Sequence, residues 1–175
     1  MLRRKDLLWL LAWPVYQLIG TLRHEASHAV VVLREGGRIQ EFVFWPAVGG
    51  GRGFTWGYVR WEGPAGWPVM AAPYLCDALT YALCFCLLTR LAISRRWVWL
   101  NLVVVGLASP LVNSLYNYLG ALRGRNDVAY LLRELPPGWV HGFFVLSIAA
   151  YALGLTVVLR VQGAGLRGEG SAPSG

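Results

Sequence analysis

The chain has 175 residues, of which 56% are hydrophobic and only 14% are charged, and it carries a net charge of +7. A soluble domain of this length needs more polar surface, so the composition excludes an ordinary soluble protein and indicates an integral membrane protein. The basic residues stand in short clusters at the ends of apolar runs, where they meet the headgroups of the lipid bilayer. This placement argues against a nucleic-acid partner.

Four apolar segments, at about 7–33, 65–89, 97–122 and 139–161, are long enough to cross a hydrocarbon core of about 30 Å. The basic and apolar start resembles a signal peptide, but no small-residue cleavage site follows, so we interpret it as a retained first span. We therefore predict an all-α, multi-pass protein of the cell membrane, with about four transmembrane helices in one domain over residues 1–161. The glycine-rich end, 162–175, is predicted to be disordered.

A β-hairpin is predicted at about 38–63, between the first and second helices. β-Branched and aromatic residues cluster in two runs, 39–48 and 54–61, around the turn GGGRG. A phosphate-binding loop is the weaker interpretation, because no Lys-Ser/Thr pair follows and the turn leads into a strand. The hairpin is either a plain connection or an edge that binds an extended peptide.

Residues 24–28 read HEASH and contain two of the three histidines of the chain. Residues four apart project from one face of a helix, so His24 and His28 can bind one metal ion, and Glu25 can reach a water on it. Neutral imidazoles suit zinc, whose catalytic sites keep three protein ligands and an open water position. An ionisable group at the bilayer centre costs about 2.5–3.5 kcal/mol, so we favour a zinc site over polar residues that bond neighbouring helices.

Two aspartates compete for the place of third ligand. Asp127 follows the third span, on the same side of the membrane as the histidine motif, although a residue at the start of a short helix can also be its cap. Asp77, inside the second span, is the rival ligand at similar depth. Asn113 is a candidate contact for the substrate backbone or the oxyanion, with interhelical hydrogen bonding as the alternative. His141 opens the fourth span and is interpreted as interfacial, with membership of the site as the alternative.

Three stretches of the chain resemble the site-2-protease-like intramembrane zinc metalloproteases, in particular the compact bacterial branch with HExxH in its first span. They are HEASHAVVVLREGGRIQEFVFWP, VMAAPYLCDALTYAL and NDVAYLLRELPPGWVHGFF. The resemblance implies that His24 and His28 bind zinc, that Glu25 is the catalytic base, and that an aspartate completes the site. We assign that place to Asp127, although the better-known branch carries its aspartate in an LDG motif, which this chain lacks.

The predicted function is therefore hydrolysis of peptide bonds in membrane-embedded protein substrates, by a zinc-bound water that Glu25 activates. The alternative is a non-catalytic pseudo-protease, or a membrane assembly or regulatory protein, that keeps the same fold. A membrane oxidase or desaturase is excluded, because three histidines cannot fill a di-iron site built from histidine boxes. The distribution of Lys and Arg leaves the orientation in the membrane open.

Overall fold

The computed structural model describes residues 12–48, 54–63, 66–124 and 126–168. Helix α1, Trp13–Arg34, is followed by strands β1 Arg38–Val43, β2 Ala47–Val48, β3 Phe54–Thr55 and β4 Tyr58–Glu62. Helix α2 spans Trp67–Arg90. The next helix, called the third helix below, consists of α3 Arg96–Asn101, a π-helical segment Leu102–Ala108 and α4 Ser109–Ala121. Helices α5 Asp127–Glu134 and α6 Pro137–Gly168 follow.

Among the described residues, three helical stretches are long and apolar enough to cross a membrane, with mean hydropathies of 1.6, 1.7 and 2.2. They are Trp67–Arg90, Arg96–Ala121 and Pro137–Arg160. At 1.5 Å per residue they measure about 36–39 Å, which exceeds a hydrocarbon core of about 30 Å. The mostly helical membrane class predicted from the composition agrees with this architecture.

Helix α1 is not among these three stretches. Its 22 residues include the histidine motif, and its last turn carries a basic residue, which lowers its average hydropathy. The predicted first span began near residue 7, and residues 1–11 lie outside the described part of the chain. The fourth span therefore stays a prediction.

The described part of the segment between α1 and α2 contains two short antiparallel pairings. Strand β1 pairs with β4, with Phe42 opposite Val59, and the register shifts by one residue between Ile39 and Glu41. Strand β2 pairs with β3. The predicted GGGRG turn, residues 49–53, lies outside the described residues. Gly57 lets β4 approach α1, because a Cβ there would stand 2.5 Å from a side-chain carbon of Thr21.

The third helix widens in its middle over the π-helical segment. The Ser109 amide donates to the Val104 carbonyl, five residues back, and Pro110 follows with no amide hydrogen to donate. Gly106 lies against Cys84 of α2 so closely that a side chain there would overlap the sulfur. Wide turns of this kind are common at functional sites, and this one lies beside α1.

Two apolar clusters hold the helices together, one where α2, the third helix and α6 meet and one where α2, α5 and α6 meet. Tyr81, Leu107 and Tyr151 belong to the first, and Tyr74, Val128 and Phe144 belong to the second. The predicted disordered tail at 162–175 differs in part from the structure. The backbone of α6 stays helical to Gly168, because extending a formed helix adds one hydrogen bond per residue, and 169–175 lies outside the described residues.

Candidate metal centre

His24 and His28 face the same side of α1, as their spacing of four predicts. Their ring centroids are 5.0 Å apart. Nε2 of each imidazole lies 3.2 Å from the same atom, Oδ2 of Asp127. The structure thus brings together the two histidines and the aspartate chosen from the sequence, at the junction of α1 and α5.

Asp127 is free to point at the histidines because its neighbour caps the helix. Asn126 accepts the capping hydrogen bond from the Ala129 amide at 3.0 Å. Burial raises the pKa of the Asp127 carboxyl, but hydrogen bonds from both imidazoles and the charge on them outweigh burial and hold the pKa well below its usual range. The carboxylate is therefore ionised at neutral pH, as a metal ligand must be.

The far side of the His28 ring is fixed by two neighbours. Its Nδ1 lies 2.8 Å from the Val69 carbonyl of α2, which can only accept, so Nδ1 carries a proton and Nε2 is the nitrogen that faces Asp127. Trp61 of β4 stacks on the same ring, with centroids 6.0 Å apart. This arrangement is typical of an imidazole that binds metal through Nε2.

The three ligand atoms suit a zinc ion by type, and the two distances to the Asp127 carboxylate also suit it by spacing. Two atoms that each lie 2.0–2.1 Å from zinc at a tetrahedral angle stand about 3.3 Å apart. Both imidazole nitrogens lie 3.2 Å from the carboxylate oxygen, and all three ligand atoms fall within 4.8 Å of one another. Two imidazole nitrogens and one carboxylate oxygen form a donor set that catalytic zinc sites use, with a fourth position left open.

Glu25 lies beside the triad and does not belong to it. Its carboxylate has the Val59 backbone amide of β4 as a hydrogen-bond partner. It lines the same cavity as His24, His28 and Asp127. A carboxylate next to a metal triad, and not among its ligands, is placed as a general base requires.

Asp77 is 2% exposed, and both oxygens of its carboxylate contact side chains outside the triad. Its Oδ1 lies 2.6 Å from Arg23, and its Oδ2 accepts a hydrogen bond from Asn113 at 2.7 Å. The group of possible metal ligands in the described part of the chain does not include it. The sequence does contain a signal for this pairing, because an arginine inside a predicted span needs an acidic partner.

The two remaining candidates lie at different distances from the triad. Asn113 lines the cavity, and its amide nitrogen lies 3.4 Å from Nδ1 of His24. His141 is outside the triad, and its Nδ1 lies 2.9 Å from the hydroxyl of Tyr118. Sequence reasoning missed the contacts of Trp61 and of the Val69 carbonyl with His28, which depend on tertiary packing and leave no local pattern.

A cavity of about 650 Å³ opens onto the triad. It runs along α1 from His28 back to Trp13, between α1, the strands β3 and β4, and α4. Its walls away from the triad are largely apolar and aromatic. They include Trp13, Tyr16, Phe54, Trp56, Val112 and Tyr116.

Comparison with protein-family models, with curated proteins and with solved structures finds no match for the chain.

Proposed function

We propose that the protein is an intramembrane zinc metalloprotease. The observation that carries the proposal is the convergence of His24, His28 and Asp127 on one point, at 3.2 Å, beside Glu25 and a cavity. Three ligands with an open side are typical of a catalytic zinc and not of a structural one. The membrane-spanning length of three other helices supports a site that works within the bilayer.

The chemistry is hydrolysis of a peptide bond by water. When bound, zinc supplies a Lewis acid that polarises the scissile carbonyl and makes water more acidic. Glu25 takes a proton from the attacking water as oxygen joins the carbonyl carbon, and it delivers that proton to the nitrogen as the carbon–nitrogen bond breaks. Asp127 and the two histidines would hold the metal, so that Glu25 stays free for proton transfer.

The substrate is expected to lie extended along the cavity. A helix keeps its carbonyls bonded, so a transmembrane segment must unwind before it is cut. Strand β4 pairs with β1 on one side, and on its other side no strand is present among the described residues. The bond between the Val59 amide and Glu25 supports an orientation of this free edge toward the site, where it could pair with a substrate strand. The aromatic walls suit apolar side chains of a membrane-embedded protein.

Helix α1 is proposed as the fourth transmembrane helix. The residues on its outer face are apolar and exposed, as a lipid-facing surface requires. They are Val15, Ile19, Leu22, Val30 and Leu33. Its ionisable side chains Arg23, His24 and His28 instead contact α2, α5 and the third helix. Ionisable residues on an inward face lower the average hydropathy of such a helix without exposing charge to lipid.

A non-catalytic membrane protein is the second candidate, and one observation favours it. A distance of 3.2 Å also suits a direct hydrogen bond between an imidazole and the Asp127 carboxylate. In that case the triad would be a polar cluster that joins α1 to α5 without metal. The two candidates differ in metal content and in turnover.

The test begins with the metal content of protein purified in detergent. We expect about one zinc per chain, and loss of that zinc in the double variant His24→Ala/His28→Ala. Glu25→Gln should keep zinc and abolish cleavage of a membrane-embedded reporter, because an amide cannot accept the proton. Full zinc retention in the double variant would refute the metal site, and undiminished turnover in Glu25→Gln would place the base elsewhere.

A further inference from the structure

Arg23 and Asp77 form an ion pair in the interior of the helix bundle, outside the chemistry described above. Arg23 Nη2 lies 2.6 Å from Asp77 Oδ1, and the two side chains are 15% and 3% exposed. A buried ion pair is weak evidence for stability, because the cost of desolvating both charges offsets most of their attraction. Two charges kept inside an apolar bundle therefore point to a further role.

The guanidinium of Arg23 also ties α1 to the third helix. It donates to the Val105 carbonyl at 3.2 Å and to Ser109 Oγ at 3.2 Å. The Val105 carbonyl lacks its helical partners, because the Ser109 amide bonds Val104 instead and Pro110 has no amide hydrogen. Arg23 thus satisfies a carbonyl that the π-helical geometry leaves free, and it fixes α1 immediately before the histidine motif.

Asp77 is connected to the back of His24 through Asn113. Its Oδ2 accepts a hydrogen bond from Asn113 Nδ2 at 2.7 Å, and the same nitrogen lies 3.4 Å from Nδ1 of His24. The far nitrogen of this imidazole is therefore next to an amide that Asp77 orients. An amide N–H₂ can only donate, so with a metal on Nε2 and the proton on Nδ1 this amide packs against the ring without a hydrogen bond to it. The hydrogen-bonded link of the network to α1 is therefore the pair of Asp77 with Arg23, the residue before His24.

From Asn113 the hydrogen bonds continue to the start of α5. Asn117 Nδ2 donates to Asn113 Oδ1 at 2.9 Å, and Asn126 Nδ2 donates to the Asn117 backbone carbonyl at 2.6 Å. Asn126 caps α5, and Asp127 is the first residue of that helix. One network therefore reaches Arg23, the residue before His24, at one end and the residue before the third ligand at the other.

We propose that this polar network is a positioning unit that holds His24 and Asp127 at metal-binding distance from each other. Its members are Arg23, Asp77, Asn113, Asn117 and Asn126. The inference rests on the proposed function, because it presupposes a metal at the triad. The network joins α1, α2, α4 and α5, so breaking one link lets the two ligand-bearing helices move relative to each other. None of its members is itself a ligand, and each acts through His24 or Asp127.

Asn126→Asp is the sharpest test of this unit. Asp caps a helix about as well as Asn, so α5 keeps its start, but Asp has no N–H to donate to the Asn117 carbonyl. An added negative charge beside a cation site would by itself strengthen zinc binding, whereas loss of positioning should weaken it about 10-fold. Asn113→Ala should weaken zinc binding by about 10–100-fold.

The control is Tyr81→Phe, which removes buried hydrogen bonds to the Ala150 and Tyr151 carbonyls, between α2 and α6 and away from the triad. Zinc affinity is measured by competition with a chromophoric chelator, and the ligand geometry by the visible absorption of the cobalt-substituted protein. Tyr81→Phe should lower the unfolding temperature and leave both readouts unchanged, whereas Asn126→Asp should change both.

The outcomes separate this inference from the proposed function. Wild-type protein that binds neither zinc nor cobalt would overturn both. Wild-type protein that binds zinc, with the same affinity and the same cobalt spectrum in Asn126→Asp and Asn113→Ala, would overturn the positioning unit and leave the metal site standing.

Discussion

Replacing Asp127 with Asn removes a carboxylate from the triad and leaves the start of α5 intact. Asn126 accepts the capping bond from the Ala129 amide at 3.0 Å, so the substitution removes no cap. What α5 loses is a negative charge in its first turn, whose interaction with the helix dipole is worth about 0.3–1 kcal/mol. The start of α5 should therefore lose no more than about 1 kcal/mol, and in the metal-free protein the weakened hydrogen bonds with His24 and His28 add to this cost.

The effect on zinc should be larger. Asp127 Oδ2 lies 3.2 Å from Nε2 of both histidines, and Asp127 is the one carboxylate of the possible metal group in the described part of the chain. Removing a residue that merely orients a ligand costs about 10–100-fold in metal affinity. Loss of the ligand itself should weaken zinc binding by at least about 100-fold, the upper end of that range. This corresponds to about 2.7 kcal/mol of binding free energy.

The assay is a zinc titration of detergent-purified protein against a chromophoric chelator, with thermal unfolding of the metal-free protein on the same samples. Glu41→Gln is the matched control, because it makes the same acid-to-amide change on β1, where Glu41 bonds the Tyr58 hydroxyl at 2.6 Å. We expect weakened zinc binding in Asp127→Asn and unchanged binding in Glu41→Gln. Normal affinity in Asp127→Asn, with zinc lost in Asp77→Asn, would move the third ligand to Asp77.

Three further outcomes test the cavity and its metal. Val59→Pro removes the β4 amide that bonds Glu25, so cleavage of a membrane-embedded reporter should fall while zinc content stays normal; full activity would make the hairpin a mere connector. Gly57→Ala adds a carbon 2.5 Å from a side chain of α1, which should lower the free energy of unfolding by about 1–3 kcal/mol; an unchanged unfolding curve would contradict this close contact. Stripping zinc with a chelator should abolish cleavage and adding zinc should restore it, whereas activity that survives complete removal would exclude metal catalysis.

Local spacing was enough to predict how the histidine motif is presented. Residues four apart on a helix share a face whatever surrounds them, and the structure places both imidazoles on one side of α1. The choice of Asp127 needed one more premise, namely the side of the membrane on which each loop lies. In addition, α5 had to fold back toward α1, and no local pattern in the sequence shows that it does.

Other features depend on partners that are distant in sequence. Asp77 and Asp127 were both candidates for the third ligand, and the structure separates them because Asp77 pairs with Arg23 whereas Asp127 faces both histidines. In the π-helical segment, Gly106 lies against Cys84 of another helix. The register shift between β1 and β4 has no signal in the alternation of residues along the strands.

The placement of charge on α1 links its proposed passage through lipid to its proposed chemistry. A lone arginine facing lipid would cost about 2.5–3.5 kcal/mol on insertion scales, but Arg23 faces inward and is paired with Asp77. A buried ion pair of this kind adds little net stability. We therefore attribute its presence to the proposed positioning of the neighbouring residue, His24. The same inward face carries Glu25 and His28 to the cavity, while Ile19 and Val30 on the outer face are exposed. A helix divided in this way can hold a hydrated metal site and still present an apolar surface to the bilayer, which is the combination that proteolysis inside a membrane requires.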